Sequence, residues 1–268
     1  MKLLFLIVLG VVYVNGQICG QLNREKRIVG GHTSDFGDHP WQAAIMRKTR
    51  NRWLMQCGGV LISDRFVLTA AHCFVSRHIP LQIRLGEWDW SKESEKIKHE
   101  TYEIQDVVLH PDFTRIDYKN DLALVKLNEK VKFKPYILPV CLPTLNDSFI
   151  GMKATVTGWG WVDSKATTKS ELQETSVEVI SVEVCQKWYK SQSRNVFYEA
   201  NLCAGFENGG HDSCQGDSGG PLVVTKNERA TLIGIVSWGV SCAKPKLPGV
   251  YVNVVNYLNW INKVQNSY

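Results

Sequence analysis

The sequence has no apolar run long enough to cross a bilayer. Its longest, residues 3–14, is short beside the roughly 17 to 25 residues a spanning helix needs, so no membrane anchor is expected. It has no C-x-x-C pair and no Cys/His spacing of zinc-ligand type, which removes the metal reading of its cysteines. No low-complexity tract and no repeat of fixed period interrupts it. With 268 residues, 44% of them hydrophobic and 21% charged, the chain is long enough to bury a core, and this excludes disorder.

Eight cysteines are present. An even count of this size reads as up to four disulfides formed outside the cytosol. Lys2, the apolar run behind it and the compact Val14-Asn15-Gly16 have the order of a signal peptide over residues 1–16. A soluble, secreted, extracellular protein starting near Gln17 is expected. The net charge of +5 looks like a hint of an acidic partner. However, the first 27 residues hold four cations (Lys2, Arg24, Lys26, Arg27) against Glu25, so residues 28–268 carry only +2. No long basic stripe remains to neutralise phosphates, and no nucleic-acid partner is expected.

From Trp41 onward, short strand-like runs such as Gly59-Val60-Leu61-Ile62 and Arg65-Phe66-Val67-Leu68-Thr69 alternate with Gly, Asp, Asn and Pro signals. A second set includes Lys153-Ala154-Thr155-Val156-Thr157, Leu222-Val223-Val224-Thr225 and Leu232-Ile233-Gly234-Ile235-Val236. Between the sets, residues 137–151 are rich in Pro and turn residues and read as a connector. The pattern predicts an all-β barrel or sandwich. One helix is signalled at the C-terminus, where Val254, Tyr257, Leu258, Ile261 and Val264 form a stripe at helical spacing.

The chemistry concentrates around Asp212-Ser213-Cys214-Gln215-Gly216-Asp217-Ser218-Gly219-Gly220-Pro221. A serine hydroxyl is a poor nucleophile at neutral pH, so it needs a base and donors for the oxyanion formed on attack. Glycines beside it let backbone N–H groups approach the reacting carbonyl. Thr69-Ala70-Ala71-His72-Cys73 supplies a histidine beside a cysteine, and Asn120-Asp121-Leu122-Ala123-Leu124 an acid at the edge of an apolar strand. Each segment alone is weak.

Together, and in order with Ile28-Val29-Gly30-Gly31, Gly158-Trp159-Gly160, Ser237-Trp238-Gly239 and Pro248-Gly249-Val250-Tyr251, they make the chain resemble the trypsin-like serine proteases of the chymotrypsin fold over residues 28–268. The resemblance implies two antiparallel six-stranded β-barrels with the active site between them and a C-terminal α-helix. It implies a catalytic triad of His72, Asp121 and Ser218, and an oxyanion hole from the N–H groups of Gly216 and Ser218. Asp212 then sits at the base of the primary pocket with Gly239 and Gly249 along its walls, which predicts protein or peptide substrates cleaved after Arg or Lys. Ser237, Trp238 and Gly239 would pair with the substrate backbone. A protease-like binding or cofactor protein without turnover is the competing class. Such proteins usually lack a nucleophile or base, whereas both are present here.

The resemblance also assigns residues 17–27 as an activation pro-segment. Arg24-Glu25-Lys26-Arg27 precedes Ile28, and cleavage of Arg27-Ile28, by a furin-like convertase or a trypsin-like activator, would free an amino group that pairs with Asp217. An activating protease and serine protease inhibitors are therefore expected partners. The disulfides it implies are Cys57 with Cys73, Cys185 with Cys203, Cys214 with Cys242, and Cys19 with Cys141, the last tethering the pro-segment. Ala154 and Val224 replace a further cysteine pair of some relatives. No cofactor is required and no metal site is assigned. Glu87, Asp89, Glu93 and Glu95 admit two readings, a calcium loop of oxygen ligands or a mixed-charge surface loop. Asn146-Asp147-Ser148 is a glycosylation sequon. Arg47-Lys48-Thr49-Arg50-Asn51-Arg52 reads as a solvated hairpin tip or as an exosite for an acidic protein partner.

Overall fold

The computed structural model describes residues 18–22, 32–75, 79–92, 97–161, 167, 169–210 and 212–268. The expected signal peptide and most of the pro-segment, Arg27 and Ile28 included, lie outside them. The strands in chain order are β1 (His32–Thr33), β2 (Gln42–Lys48), β3 (Trp53–Leu61), β4 (Phe66–Thr69), β5 (Leu81–Leu85), β6 (Glu100–Leu109), β7 (Ala123–Leu127), β8 (Lys153–Gly158), β9 (Gln173–Ile180), β10 (Asn201–Ala204), β11 (Pro221–Lys226), β12 (Arg229–Trp238) and β13 (Gly249–Asn253). They form two closed antiparallel six-stranded barrels. The first closes in the order β2-β3-β4-β7-β6-β5; in the second, β9-β10-β13-β12-β11-β8 close through the β8–β9 pairing, and β1 adds to β9. Closure leaves the barrel strands without open edges, and register shifts at Ile45/Met46, Ile104/Asp106, Leu222/Val223 and Val236/Trp238 supply the local bends that a tight barrel requires.

Two large apolar clusters form, the first of which continues from its barrel to Leu232, Ile235 and Val252 of the second and to Leu258 and Ile261 of the C-terminal helix. Ile45, Val60, Leu68, Ile83, Leu85, Leu124 and Leu127 pack in the first, and Val156, Val177, Leu222, Ile233 and Tyr251 in the second. The β8–β11 register, with Leu222 opposite Val156 and Val223 opposite Thr155, would set Val224 opposite Ala154. Both are buried in the second core, so an apolar pair occupies the place of the missing disulfide. Residues 128–152, covering the expected connector, carry no strand.

The four disulfides join Cys19 to Cys141, Cys57 to Cys73, Cys185 to Cys203 and Cys214 to Cys242. Around Cys19 the chain docks on the second barrel. Gly20 N–H donates to Pro139 (2.8 Å), Ala230 N–H donates to Gly20 (2.9 Å), and Arg229 donates to the Cys19 carbonyl (3.1 Å). This segment is therefore held by backbone pairing as well as by sulfur.

The C-terminal stripe is helical, but its first turn, Val254–Tyr257, is a 3-10 turn, and the α-helix proper (α2) spans Leu258–Gln265. A second helix, α1 (Val182–Tyr189), is absent from the sequence reading. Its Ser181 hydroxyl caps Val184 N–H (3.3 Å), and Cys185 and Tyr189 are its buried pair. Two turns with one buried i, i+4 pair leave too short a periodicity to read.

Leu124 is fully buried in β7, opposite Leu68 on one side and Val108 on the other. Leu124→Ala should lower unfolding stability by about 2–5 kcal/mol. In urea denaturation this appears as a lower midpoint with an unchanged slope.

Candidate active site

Three segments meet between the barrels. The 3-10 turn Ala71–Phe74 follows β4 and presents His72, and the Cys57–Cys73 disulfide clamps it to β3. Asp121 lies just before β7, in a loop where Tyr118 and Asn120 hold positive φ angles of 55° and 54°. Asn120 is anchored there by the Tyr257 hydroxyl, which donates to its side-chain oxygen (2.7 Å). Ser218 lies on the loop before β11, and its carbonyl accepts from Gly58 N–H of β3 at 2.8 Å. One barrel thus brings His72 and Asp121, the other Ser218.

Asp121 is fully buried and accepts three hydrogen bonds. They come from the His72 backbone N–H (2.8 Å) and Nδ1 (2.7 Å), and from the Ser237 hydroxyl (2.6 Å). A buried carboxylate is tolerable only when so satisfied. Because Nδ1 is the nitrogen engaged, it carries the proton in the neutral ring, and Nε2 is left as the acceptor. No His72–Ser218 hydrogen bond is present among the described residues; both residues line one cavity of about 730 Å³, and apo sites commonly tighten this contact only with substrate. The Tyr118 ring stands edge-on to His72 at 5.4 Å.

In the serine loop, Cys214 N–H donates to the Asp217 carboxylate, Asp217 N–H to Cys214, Gly219 N–H to Val236 and Gly220 N–H to Asp217. The N–H groups of Gly216 and Ser218 donate to no protein acceptor among the described residues. Gly216 has φ 102°, and a Cβ there would stand 2.8 Å from Gly160 Cα. Glycine is required for the turn to pack so closely.

The same cavity is lined by Ser213, Cys214, Ser237, Trp238, Gly239, Cys242 and Gly249. Asp212 lies behind Gly249, where a Cβ would stand 2.6 Å from its Oδ1; a Cβ on Gly239 would meet only open space. Withdrawal from water pushes the Asp212 carboxyl up to about 8, against backbone hydrogen bonds from Ser213 and its neighbours that pull the other way. The main cavity thus has a bare-walled slot backed by Asp212, whose own surface opens on a second cavity, and no cation pairs with this acid among the described residues.

Asp217 and Asp212 both line this second cavity of about 330 Å³, with His32, Gly158, Gly160 and Glu174. Desolvation raises it to about 6 despite donors from Cys214 and Gly160 N–H (both 2.8 Å). Ile28, the expected partner, lies outside the described residues. Beside this cavity the buried Glu174 bridges His32 (2.8 Å) and His39 (2.6 Å), a cluster the sequence did not signal because its members stand about 135–142 positions apart. Also unread were the Ser237 hydrogen bond to Asp121 and the Gln192–Asn195 rim of the main cavity.

Glu87 is buried against Arg84 and His99 (both 3.0 Å) and accepts from Trp88 N–H (3.2 Å). Asp89 engages Lys92 (2.7 Å) and Ser91 (2.7 Å). Positively charged or donating side chains thus occupy the carboxylates a calcium ion would need, and this donor set does not fit one. Glu93 and Glu95 lie outside the described residues. Asn146 is exposed in a turn closed by Asp147 N–H donating to Thr144 (3.1 Å).

The Trypsin family model matches residues 28–261. The chain is 41% identical over 242 residues to serine proteinase stubble of Drosophila melanogaster, covering 88% of this chain but 31% of that protein. It is 35% identical over 264 residues to serine protease 41 of Homo sapiens, covering 93% and 80%. It is 36% identical over 240 residues to the venom protease of Bombus pensylvanicus, covering 87% and 96%. The chain therefore spans about a third of the first relative's length. It spans 14% of another, serine protease filzig of Drosophila melanogaster.

A cation entering the slot should lower the Asp212 pKa. Below about 8, binding of a small guanidinium compound is expected to release a proton, so its affinity should rise with pH and level off once the carboxylate is ionised. Calorimetry in two buffers of different ionisation enthalpy reads the released proton directly; binding without release would contradict the assignment.

Proposed function

The chain belongs to the trypsin family of serine proteases, and from that premise we propose that it is a secreted endopeptidase, made as a zymogen, that hydrolyses peptide bonds after Arg or Lys. The observation that carries this reading is the hydrogen-bonded His72–Asp121–Ser237 set beside Ser218, in a cavity whose wall residue Gly249 is backed by Asp212. The preference for Arg or Lys rests on Asp212, which a guanidinium or ammonium group would pair across the bare walls of Gly239 and Gly249.

In this mechanism Ser218 Oγ attacks the scissile carbonyl carbon while its proton passes to His72 Nε2. His72 keeps its Nδ1 proton and donates it to Asp121, whose carboxylate stabilises the imidazolium. The oxyanion accepts hydrogen bonds from Gly216 and Ser218 N–H, donors without a protein acceptor among the described residues. Losing one donor of this kind costs about 3–4 kcal/mol of transition-state stabilisation. Collapse breaks the C–N bond, and the amine leaves with the proton from His72. Water, deprotonated by His72, then hydrolyses the ester and restores Ser218. Trp238 and the Ser237–Gly239 backbone would align the substrate as an added strand.

The zymogen part rests on the Asp217 cavity. Cleavage at Arg27-Ile28 would free the Ile28 amine to enter beside Asp217 and order the serine loop. The Cys19–Cys141 disulfide would keep the cut pro-segment attached. Residues 1–16 as a signal peptide, a glycan on Asn146, an activating protease and protein inhibitors complete the proposal. Among the described residues no helix is long and apolar enough to cross a membrane.

After activation, a serine-directed phosphonate should label Ser218, and a peptide library should be cut after Arg and Lys only. His72→Ala and Ser218→Ala should each lower kcat by about 10⁴-fold or more. Absence of labelling in protein with a free Ile28 terminus would instead mark a protease-like binding protein.

Activation should also be pH-dependent. An α-amino group starts near pKa 8, and pairing with Asp217 raises it, so its contribution is full below that value and is lost as pH rises through the raised one. Asp217 alone is raised to about 6, and pairing lowers it, so an acid limb falls at or below pH 6. Acetylating the Ile28 amine should abolish the phosphonate reaction at pH 7; equal labelling of blocked and free protein would refute the pairing.

A further inference from the structure

The hairpin joining β2 to β3 carries Arg47, Lys48, Arg50 and Arg52 within six residues. Lys48, Arg50 and Arg52 are exposed and Arg47 half-buried. None has a carboxylate within 4 Å among the described residues, whereas Lys92, Lys130, Lys134, Lys226 and Lys246 are each bridged to one. Four like charges held together repel one another, and among the described residues no carboxylate offsets that repulsion. Residues 28–268 carry only +2 in total, so this is a local field on an almost neutral body.

The hairpin tip is also built to hold its shape. Thr49 N–H donates to the Arg52 carbonyl (2.8 Å), Thr49 Oγ1 donates to the same carbonyl (2.6 Å), and Lys48 N–H donates to Pro80 (2.9 Å). Lys48 Nζ lies 5.9 Å from the centre of the Trp53 ring opposite it, a cation–π contact that orients the stem. A backbone fixed in this way projects its cations from set positions, so less chain entropy is lost on meeting an anion than for a loose loop.

Its position relative to the nucleophile selects the ligand. β3 runs from the tip to Cys57 and Gly58, and Gly58 N–H binds the Ser218 carbonyl. The five residues from Arg52 to Cys57 span about 17 Å of strand. On its other flank the serine loop is tied to β12 through Gly219 N–H and Val236, and β12 ends in Ser237 and Trp238, where the endopeptidase reading puts the segment before the scissile bond. The segment after the bond therefore leaves on the β3 side. Resting on the endopeptidase reading above, we propose that this hairpin docks an acidic stretch of the protein substrate lying about five to eight residues C-terminal to the cleaved bond. A polypeptide is favoured over a sulfated glycan because only a chain continuing from the cleft is delivered to the tip by cleavage geometry.

Three peptides with the same Arg cleavage site test this. One has Asp/Glu at positions five to eight after the bond, one has the acidic block before the bond, and one is a short peptide without a tail. For wild-type protein, kcat/KM for the C-terminal acidic tail should exceed that of the short peptide by about tenfold at low ionic strength, with the gain shrinking in 0.5 M salt. Changing Arg47, Lys48, Arg50 and Arg52 together to Gln should remove the gain and leave the short peptide unchanged within about twofold. Replacing the three arginines by Lys should retain the gain. Arg50→Glu with Arg52→Glu should reverse the preference towards a basic tail. Equal loss on both peptides in the Gln variant, or an equal gain from the N-terminal tail, overturns the proposal. So does loss of heparin-column retention in the Gln variant with the peptide preference intact, which assigns the hairpin to a sulfated glycan. Failure of wild-type protein to cleave the short peptide bears on the endopeptidase reading instead.

Discussion

The buried Asp121 carboxylate is the constraint around which the molecule is arranged. With no water to satisfy it, it needs its three donors, and they come from both halves of the chain. His72 belongs to the first barrel, Ser237 to the second. The same interactions that make a buried charge tolerable therefore orient the imidazole and hold the barrels in one relative position. Breaking a buried charge from its partners typically costs about 3–5 kcal/mol, so the site is coupled to the integrity of the whole fold.

A second buried carboxylate does comparable work in the serine loop. Asp217 takes N–H groups from Cys214 and Gly160, which shapes the turn so that Gly216 and Ser218 keep theirs free. Its raised pKa marks a charge with too few partners, beside a cavity with room for one more. Asp212 is raised by the same loss of water, and it lines the same cavity while backing the Gly249 wall of the main one. Two buried acids with no cationic partner among the described residues give the proposed enzyme two places where an incoming cation supplies energy. One is proposed for the chain's own terminus, the other for substrate.

Much of this was legible from residues. The short apolar runs became strands, the turn-rich segment a connector, and the apolar stripe after Val254 a helix whose first turn is 3-10. The motifs around His72, Asp121 and Ser218 pointed to one another through family order, and the four disulfides followed from that likeness. Other features left no local trace. α1 is too short for its period to register. Ser237 was read as a substrate contact, although its hydroxyl also holds Asp121. The His32–Glu174–His39 cluster and the Arg84–Glu87–His99 cluster consist of ordinary polar residues until β1, β9, β5 and the loop before β6 bring them together.

By itself the sequence determined which segments are strands, which residue types are available for chemistry and where the cysteines lie, because these depend on local periodicity and residue identity. Only the tertiary structure decided how two barrels close and face each other. That decided which carboxylate is stripped of water, which N–H groups go unused and which cations lack a counterion. Burial and partner geometry are properties of contacts between segments more than a hundred residues apart, and no local pattern encodes them.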